Sequence, residues 1–215
     1  MKSELFKRII SSIILLPIIF FILIEGSILF YFLLLLAFSI SVYEWHLMAK
    51  NKSYYLYGLF FLIISFVCIF KLRINPDNDF IKIILITIIC ILTDIGGYVF
   101  GKLIKGPKLT KYSPNKTYSG AIGSYFLSLS SIIFFMYFDI INGENLILFT
   151  LFVILVSTFS QFGDICVSYF KRISKIKDTG NIIPGHGGLL DRIDGMIFAY
   201  PFSYLITHTT YFSNI

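Results

Sequence analysis

The chain has 215 residues, 57% hydrophobic and only 14% charged, with a formal net charge of +6. Soluble domains carry about a quarter charged residues, so this composition excludes an ordinary water-soluble domain and points to a polytopic membrane protein. The positive balance does not call for nucleic acid, because excess Lys and Arg in a membrane protein mark its cytoplasmic loops.

Seven apolar runs are predicted as membrane helices. The first covers about residues 9–24 and contains Pro17, which a membrane helix accepts when neighbours satisfy the freed carbonyl. No small-x-small cleavage site follows it, so it reads as an uncleaved first helix. The second run, about 27–43, ends at the polar patch EWHLMAKNK, and the third, about 54–70, ends before the turn signal Asn75-Pro76-Asp77. The fourth, about 80–100, contains Asp94 and leads into a basic loop over 101–120. The fifth and sixth runs cover about 121–138 and 146–167. A polar stretch, 168–194, precedes the last run at about 195–210. Cys68, Cys90 and Cys166 all lie in apolar runs, with no disulfide or zinc spacing, and read as buried free thiols.

Basic residues set the orientation. With the N-terminus in the cytoplasm, fifteen Lys and Arg fall on the cytoplasmic side and three, Lys71, Arg73 and Lys82, on the other. Both long polar loops then face the cytoplasm.

The polar stretch SYFKRISKIKDTGNIIPGHGGLLDRID is the anomaly in an apolar chain. Gln161, Asp164, Ser168 and Lys171 recur at three- and four-residue spacing, so they share one helix face. Asp191 and Asp194, three apart at the start of the last helix, can also point one way. Three carboxylates at two helix ends could converge as hard oxygen ligands for Mg²⁺. The plainer reading makes Asp191 and Asp194 acids favoured by a helix N-terminus, and Asp164 an interfacial charge. Lys171, Arg172, Lys175 and Lys177 suit phosphate, or else anchor the chain at an anionic membrane surface. The glycines of PGHGG let backbone N–H groups approach phosphate oxygens, and His186 between them is a ligand contact rather than an assigned base.

A second polar cluster lies upstream. Asp94 sits inside a span and is a functional candidate by position. Gly97 and Gly101 suit close helix packing, and Ser113, Lys116 and Gly120 precede a helix whose N-terminus could take phosphate or could simply be capped.

Taken together, these residues resemble the signature of the phosphatidate cytidylyltransferases, also called CDP-diacylglycerol synthases. Ser168, Lys171-Arg172, Lys177-Asp178, Gly180, Pro184, His186-Gly187-Gly188, Asp191-Arg192 and Asp194 fall in register. The upstream motifs Asp94-x-x-x-Tyr98-x-x-Gly101, Ser113-Pro114-x-Lys116-Thr117 and Gln161-x-Gly163-Asp164 follow in the family's order. The resemblance implies an all-α polytopic membrane protein of about seven transmembrane helices with two cytoplasmic active-site loops. It would form one integral domain, with N-terminal helices over 1–80 and a catalytic region over 81–215. The implied reaction joins CTP and phosphatidate, giving CDP-diacylglycerol and pyrophosphate. By resemblance, Asp164, Asp191 and Asp194 hold Mg²⁺, with a second ion allowed, and are catalytic together with Lys171 and Arg172. Asp94, Ser113, Lys116, Lys177, Asp178, His186, Gly187, Gly188 and Arg192 would contact substrate. The setting expected is a bacterial cytoplasmic membrane with the site facing the cytoplasm, and a homodimer is allowed.

Two other readings compete. A CTP-using kinase of polyprenol or phytol would also need a membrane phosphate site, but the full 168–194 signature favours nucleotidyl transfer. An ion-coupled transporter would use Asp94 and Asp164 at the midplane, whereas the polar residues gather at one membrane face.

Overall fold

The computed structural model describes residues 17–74, 79–138, 146–183 and 187–207. The start of the first predicted span, the end of the last and His186 lie outside the described residues. Among the described residues every regular element is a helix, and extended backbone is limited to two isolated bridges, Lys108 with Thr117 and Ile183 with Gly187. The helices are α1 (17–25), α2 (Ser27–Ala49), α3 (Tyr55–Ile74), α4 (Asp79–Ile104), α5 (Tyr118–Tyr137), α6 (Leu146–Ile173) and α7 (Leu190–Thr207).

Among the described residues, α2 to α6 are each long and apolar enough to cross a membrane, a span needing roughly 20 residues at 1.5 Å rise. The chain is therefore an integral membrane protein. α7, 18 residues long, is not among the five because it opens on the charged run Leu190-Asp191-Arg192-Ile193-Asp194. Most helices outrun their predicted ends, and three do so furthest. α2 continues from residue 43 to Ala49, α6 from 167 to Ile173, and α7 begins at Leu190 rather than 195. In each case the extension carries polar side chains that find partners once folded, so hydropathy alone ends the helix too early.

Two compact units are present. One gathers the described parts of Met1–Ile84 with Phe170–Asp194. In it, α2 and α3 form an antiparallel hairpin, with Tyr31 against Phe70 and Phe38 against Phe66 at ring-centroid distances of 5.5 and 5.3 Å. Trp45 anchors the tip. Its indole Nε1 donates to Tyr55 O at 2.9 Å, and its ring meets Tyr54 and Phe170 edge-on. Tyr54 Oη also bonds Ser174 Oγ at 2.9 Å, so the end of α6 is fastened to the hairpin. Gly58 lies against the indole, where a Cβ would come within 1.8 Å of Trp45 Cζ2.

The other unit gathers Leu85–Tyr169 with the described part of Gly195–Ile215. Here α4 and α5 approach through glycines. A Cβ at Gly96 would lie 2.4 Å from Gly123 O, and one at Gly120 would lie 2.7 Å from Gly97 O. The close packing expected of Gly97 and Gly101 is present, with Gly96, Gly120 and Gly123 added to it. Hydroxyls then tie the helices together. Ser124 Oγ donates to Thr93 O at 2.7 Å, Thr93 Oγ1 donates to Ser157 Oγ at 2.9 Å, and Thr87 Oγ1 meets Tyr200 Oη at 2.6 Å. Such interhelical bonds contribute about 0.6 kcal/mol each in a membrane.

Replacing Gly58 by valine forces β-branched bulk into the plane of Trp45. We expect a loss of about 1–3 kcal/mol, read as a lower melting temperature of the purified protein in detergent. A variant melting like the parent would show that the indole can move aside.

Candidate active site

The polar stretch after α6 begins with a tight helix end. Ile176 N donates to Lys171 O at 3.0 Å and Lys175 N to Arg172 O at 3.1 Å, while Lys175 has φ 59°. That is a left-handed cap of the kind glycine usually supplies, here made by lysine. The chain then runs back to α7, and Ile183 N donates to Gly187 O at 3.0 Å to close its far end.

Two carboxylates clamp this loop within its unit. Asp191, in the first turn of α7, receives Lys171 Nζ on Oδ1 at 2.7 Å. Its Oδ2 receives the backbone N–H groups of Thr179 at 2.8 Å and Gly188 at 3.1 Å. The ion pair is half-buried, with little of either side chain reaching solvent, 12% for Lys171 and 3% for Asp191. Burial alone would raise the Asp191 carboxyl. The Lys171 ammonium and the two amides outweigh it, and the group lies below its ordinary value.

The second clamp is Glu44 on α2, fully buried. Oε1 receives Leu189 N at 2.9 Å, and Oε2 receives Leu190 N at 2.8 Å and Thr179 Oγ1 at 2.9 Å. The loop glycines make room for it. A Cβ at Gly180 or at Gly188 would stand 2.6 Å from a Glu44 carboxylate oxygen.

The other unit holds a second cluster. Residues 105–117 fold back on themselves, Leu109 N donating to Lys116 O at 2.8 Å and Tyr118 N to Pro107 O at 3.2 Å. Thr117 caps α5 by accepting from Gly120 N at 3.1 Å. Lys116 forms an ion pair with Asp164 on α6, and Tyr112 stacks edge-on against Tyr169 at 4.7 Å. Ser168 Oγ donates to Asp164 Oδ1 at 3.4 Å, so the predicted shared face of Asp164 and Ser168 is present.

The structure thus joins residues that the sequence treated separately. Lys171, read as a phosphate grip, and Asp191, read as a metal ligand, are one pair, and so are Lys116 and Asp164. Arg172, Lys177, Asp178 and Arg192 are exposed, Ser113 is half-buried, and Asp194 is buried in α7. Asp94 is exposed on α4. Gly187 and Gly188 stand beside Asp191. Among the described residues, no three His, Cys, Asp or Glu side chains are already gathered around a metal position. Sequence reasoning missed Glu44 and Thr179. Glu44 was legible in principle, because an acid inside an apolar helix is costly unless it has a task.

The sequence profile of the cytidylyltransferase family matches residues 53–210. The chain is similar to the phosphatidate cytidylyltransferase of Rickettsia bellii, with 36% identity over 212 residues that cover 95% of this chain and 91% of that protein. It is also similar to the proteins of that name from Staphylococcus haemolyticus, at 37% identity, and Staphylococcus aureus strain COL, at 38%. Those matches cover 171 residues, 78% of this chain and 65% of each staphylococcal protein.

Lys171→Met leaves the Asp191 charge buried without its ammonium. Breaking a buried pair from one side costs about 3–5 kcal/mol, so we expect a marked loss of thermal stability. Lys171→Met combined with Asp191→Leu should cost less than the sum of the two single changes. Because the folded carboxyl lies below its ordinary value, its contribution is present above the ordinary carboxyl range and is lost as pH falls through the lowered value. Protease cleavage of the 175–189 loop should accordingly rise at acid pH in the parent, and Asp191→Asn should flatten that dependence.

Proposed function

This chain belongs to the cytidylyltransferase family, and we propose that it transfers the cytidylyl group of CTP to phosphatidate, forming CDP-diacylglycerol. A phosphate oxygen of the lipid forms a bond to the α-phosphorus of CTP, and the bond from that phosphorus to the β-phosphate oxygen breaks. Pyrophosphate departs with the electron pair. The lipid phosphate is already ionised near neutral pH, so no strong base is required. The task is to hold two anions together and to stabilise the charge on the leaving group.

One observation carries this reading. A lysine–carboxylate pair, Lys171 with Asp191, sits at the neck of a glycine-bearing basic loop, in a chain alike to a phosphatidate cytidylyltransferase along nearly its whole length. In the reaction, Lys171, Arg172, Lys177 and Arg192 neutralise phosphates of CTP and lipid, and Asp178, His186, Gly187 and Gly188 contact substrate from the same loop. Ser113 and Lys116 supply further contacts, as does Asp94.

The donor chemistry fits a hard divalent ion. Asp164, Asp191 and Asp194 offer carboxylate oxygens, and Asp164 and Asp191 each already hold a positive group. These three residues would hold Mg²⁺, singly or as a pair, which when bound neutralises phosphate oxygens and the departing pyrophosphate. CTP is soluble and phosphatidate lies in the leaflet, so the polar loops would face the cytoplasm of a bacterial inner membrane.

Membranes containing the chain should incorporate label from the α-phosphate of CTP into lipid when phosphatidate is supplied. Incorporation from the γ-phosphate alone would instead mean a lipid kinase. Asp164→Asn and Asp191→Asn should each lower product formation by roughly 100-fold or more while membrane insertion, read by fractionation, is retained. In a chain whose own cysteines are replaced, Thr110→Cys should react with an impermeant thiol reagent from the cytoplasmic side only.

A further inference from the structure

We infer that Glu44 is a positioning residue for the 174–189 loop. It sits near the end of an otherwise apolar span and outside the stretch matched by the family profile, 53–210. A carboxyl with 0% exposure is costly unless it is hydrogen-bonded. Glu44 is bonded three times, and every donor belongs to the loop or to the first turn of α7.

The pattern of donors is what distinguishes positioning from simple anchorage. Three consecutive amides are shared between two carboxylates: Gly188 N goes to Asp191, Leu189 N to Glu44 Oε1, and Leu190 N to Glu44 Oε2. On the other limb, Thr179 gives its N–H to Asp191 and its hydroxyl to Glu44. Glu44 and Asp191 therefore pin the same two points of one loop from two different helices. Lys177 and Asp178 come just before the first pinned point, and Gly187 just before the second. The space is also reserved, since Gly180 and Gly188 lack the Cβ that Glu44 would strike. Losing Glu44 would leave Leu189 N and Leu190 N at a helix N-terminus without their acceptor, and the loop would relax with Asp191 as its remaining carboxylate clamp.

The effect on turnover rests on the proposed reaction, whereas the clamp does not. In full-length protein purified in detergent, Glu44→Gln keeps the shape but turns an amide NH₂ toward these donors. Amide hydrogen exchange over 176–190 should quicken by about tenfold or more, with the α2–α3 hairpin unchanged. KM for CTP should rise by about tenfold, with kcat changed much less. Glu44→Asp should recover part of the loss. Gly180→Ala, which leaves Glu44 in place but presses a methyl against it, should reproduce the rise in KM. Unchanged exchange in Glu44→Gln would overturn the clamp. Faster exchange with an unaltered KM would overturn its bearing on substrate, as would a general loss of melting temperature that Glu44→Asp fails to repair. A parent chain that makes no lipid product from CTP would sink the reaction alone, because exchange decides the clamp independently.

Discussion

Backbone amides that leave a helix at the edge of an apolar span need acceptors, and here carboxylates provide them. Asp191 and Glu44 accept from four loop or helix-start amides and one hydroxyl. The path of the loop, the start of α7 and the placement of two glycines all follow from that demand. A glycine-rich segment would otherwise be the least ordered part of the chain, since glycine has the most conformational freedom to lose. Glu44 and Asp191 hold it at Thr179 and at Gly188 to Leu190.

Charge is the second theme. The chain is poor in ionisable groups, yet Lys116–Asp164 and Lys171–Asp191 each bind a loop residue or helix end to a neighbouring element. Buried or half-buried pairs contribute little net stability but fix register, because mismatching them strands a charge.

Much of the fold was legible from residue type alone. Apolar runs of span length located α2 to α6, and three- and four-residue spacing put Asp164 and Ser168 on one face. Gly97 and Gly101 marked α4 as a helix able to pack closely, and the structure makes α5 its partner. What hydropathy missed were helix ends, since Glu44 and Trp45 in α2 look like interface residues until their partners are known. Pairing across a loop was also hidden. Lys171 and Asp191 are 20 positions apart, and no helical period links them. Glu44 was concealed further by its neighbours, because a lone acid inside EWHLMAKNK reads as the edge of the bilayer. The rule that marked Asp94 and Asp164 applies to it equally.

The separation between Glu44 and its donors has a bearing on biosynthesis. Thr179 and Leu190 lie 135 and 146 positions further along the chain. At ribosomal rates of about 5–20 residues per second, the acid leaves the translation machinery roughly 7–30 s before its last acceptor-seeking amides exist. During that interval the Glu44 carboxyl lacks the three donors that satisfy it in the folded chain, and water is the partner open to it. Synthesis of Thr179 through Leu190 then supplies those donors, so the hydrogen bonding of α2 is completed only by a segment made much later than the helix itself.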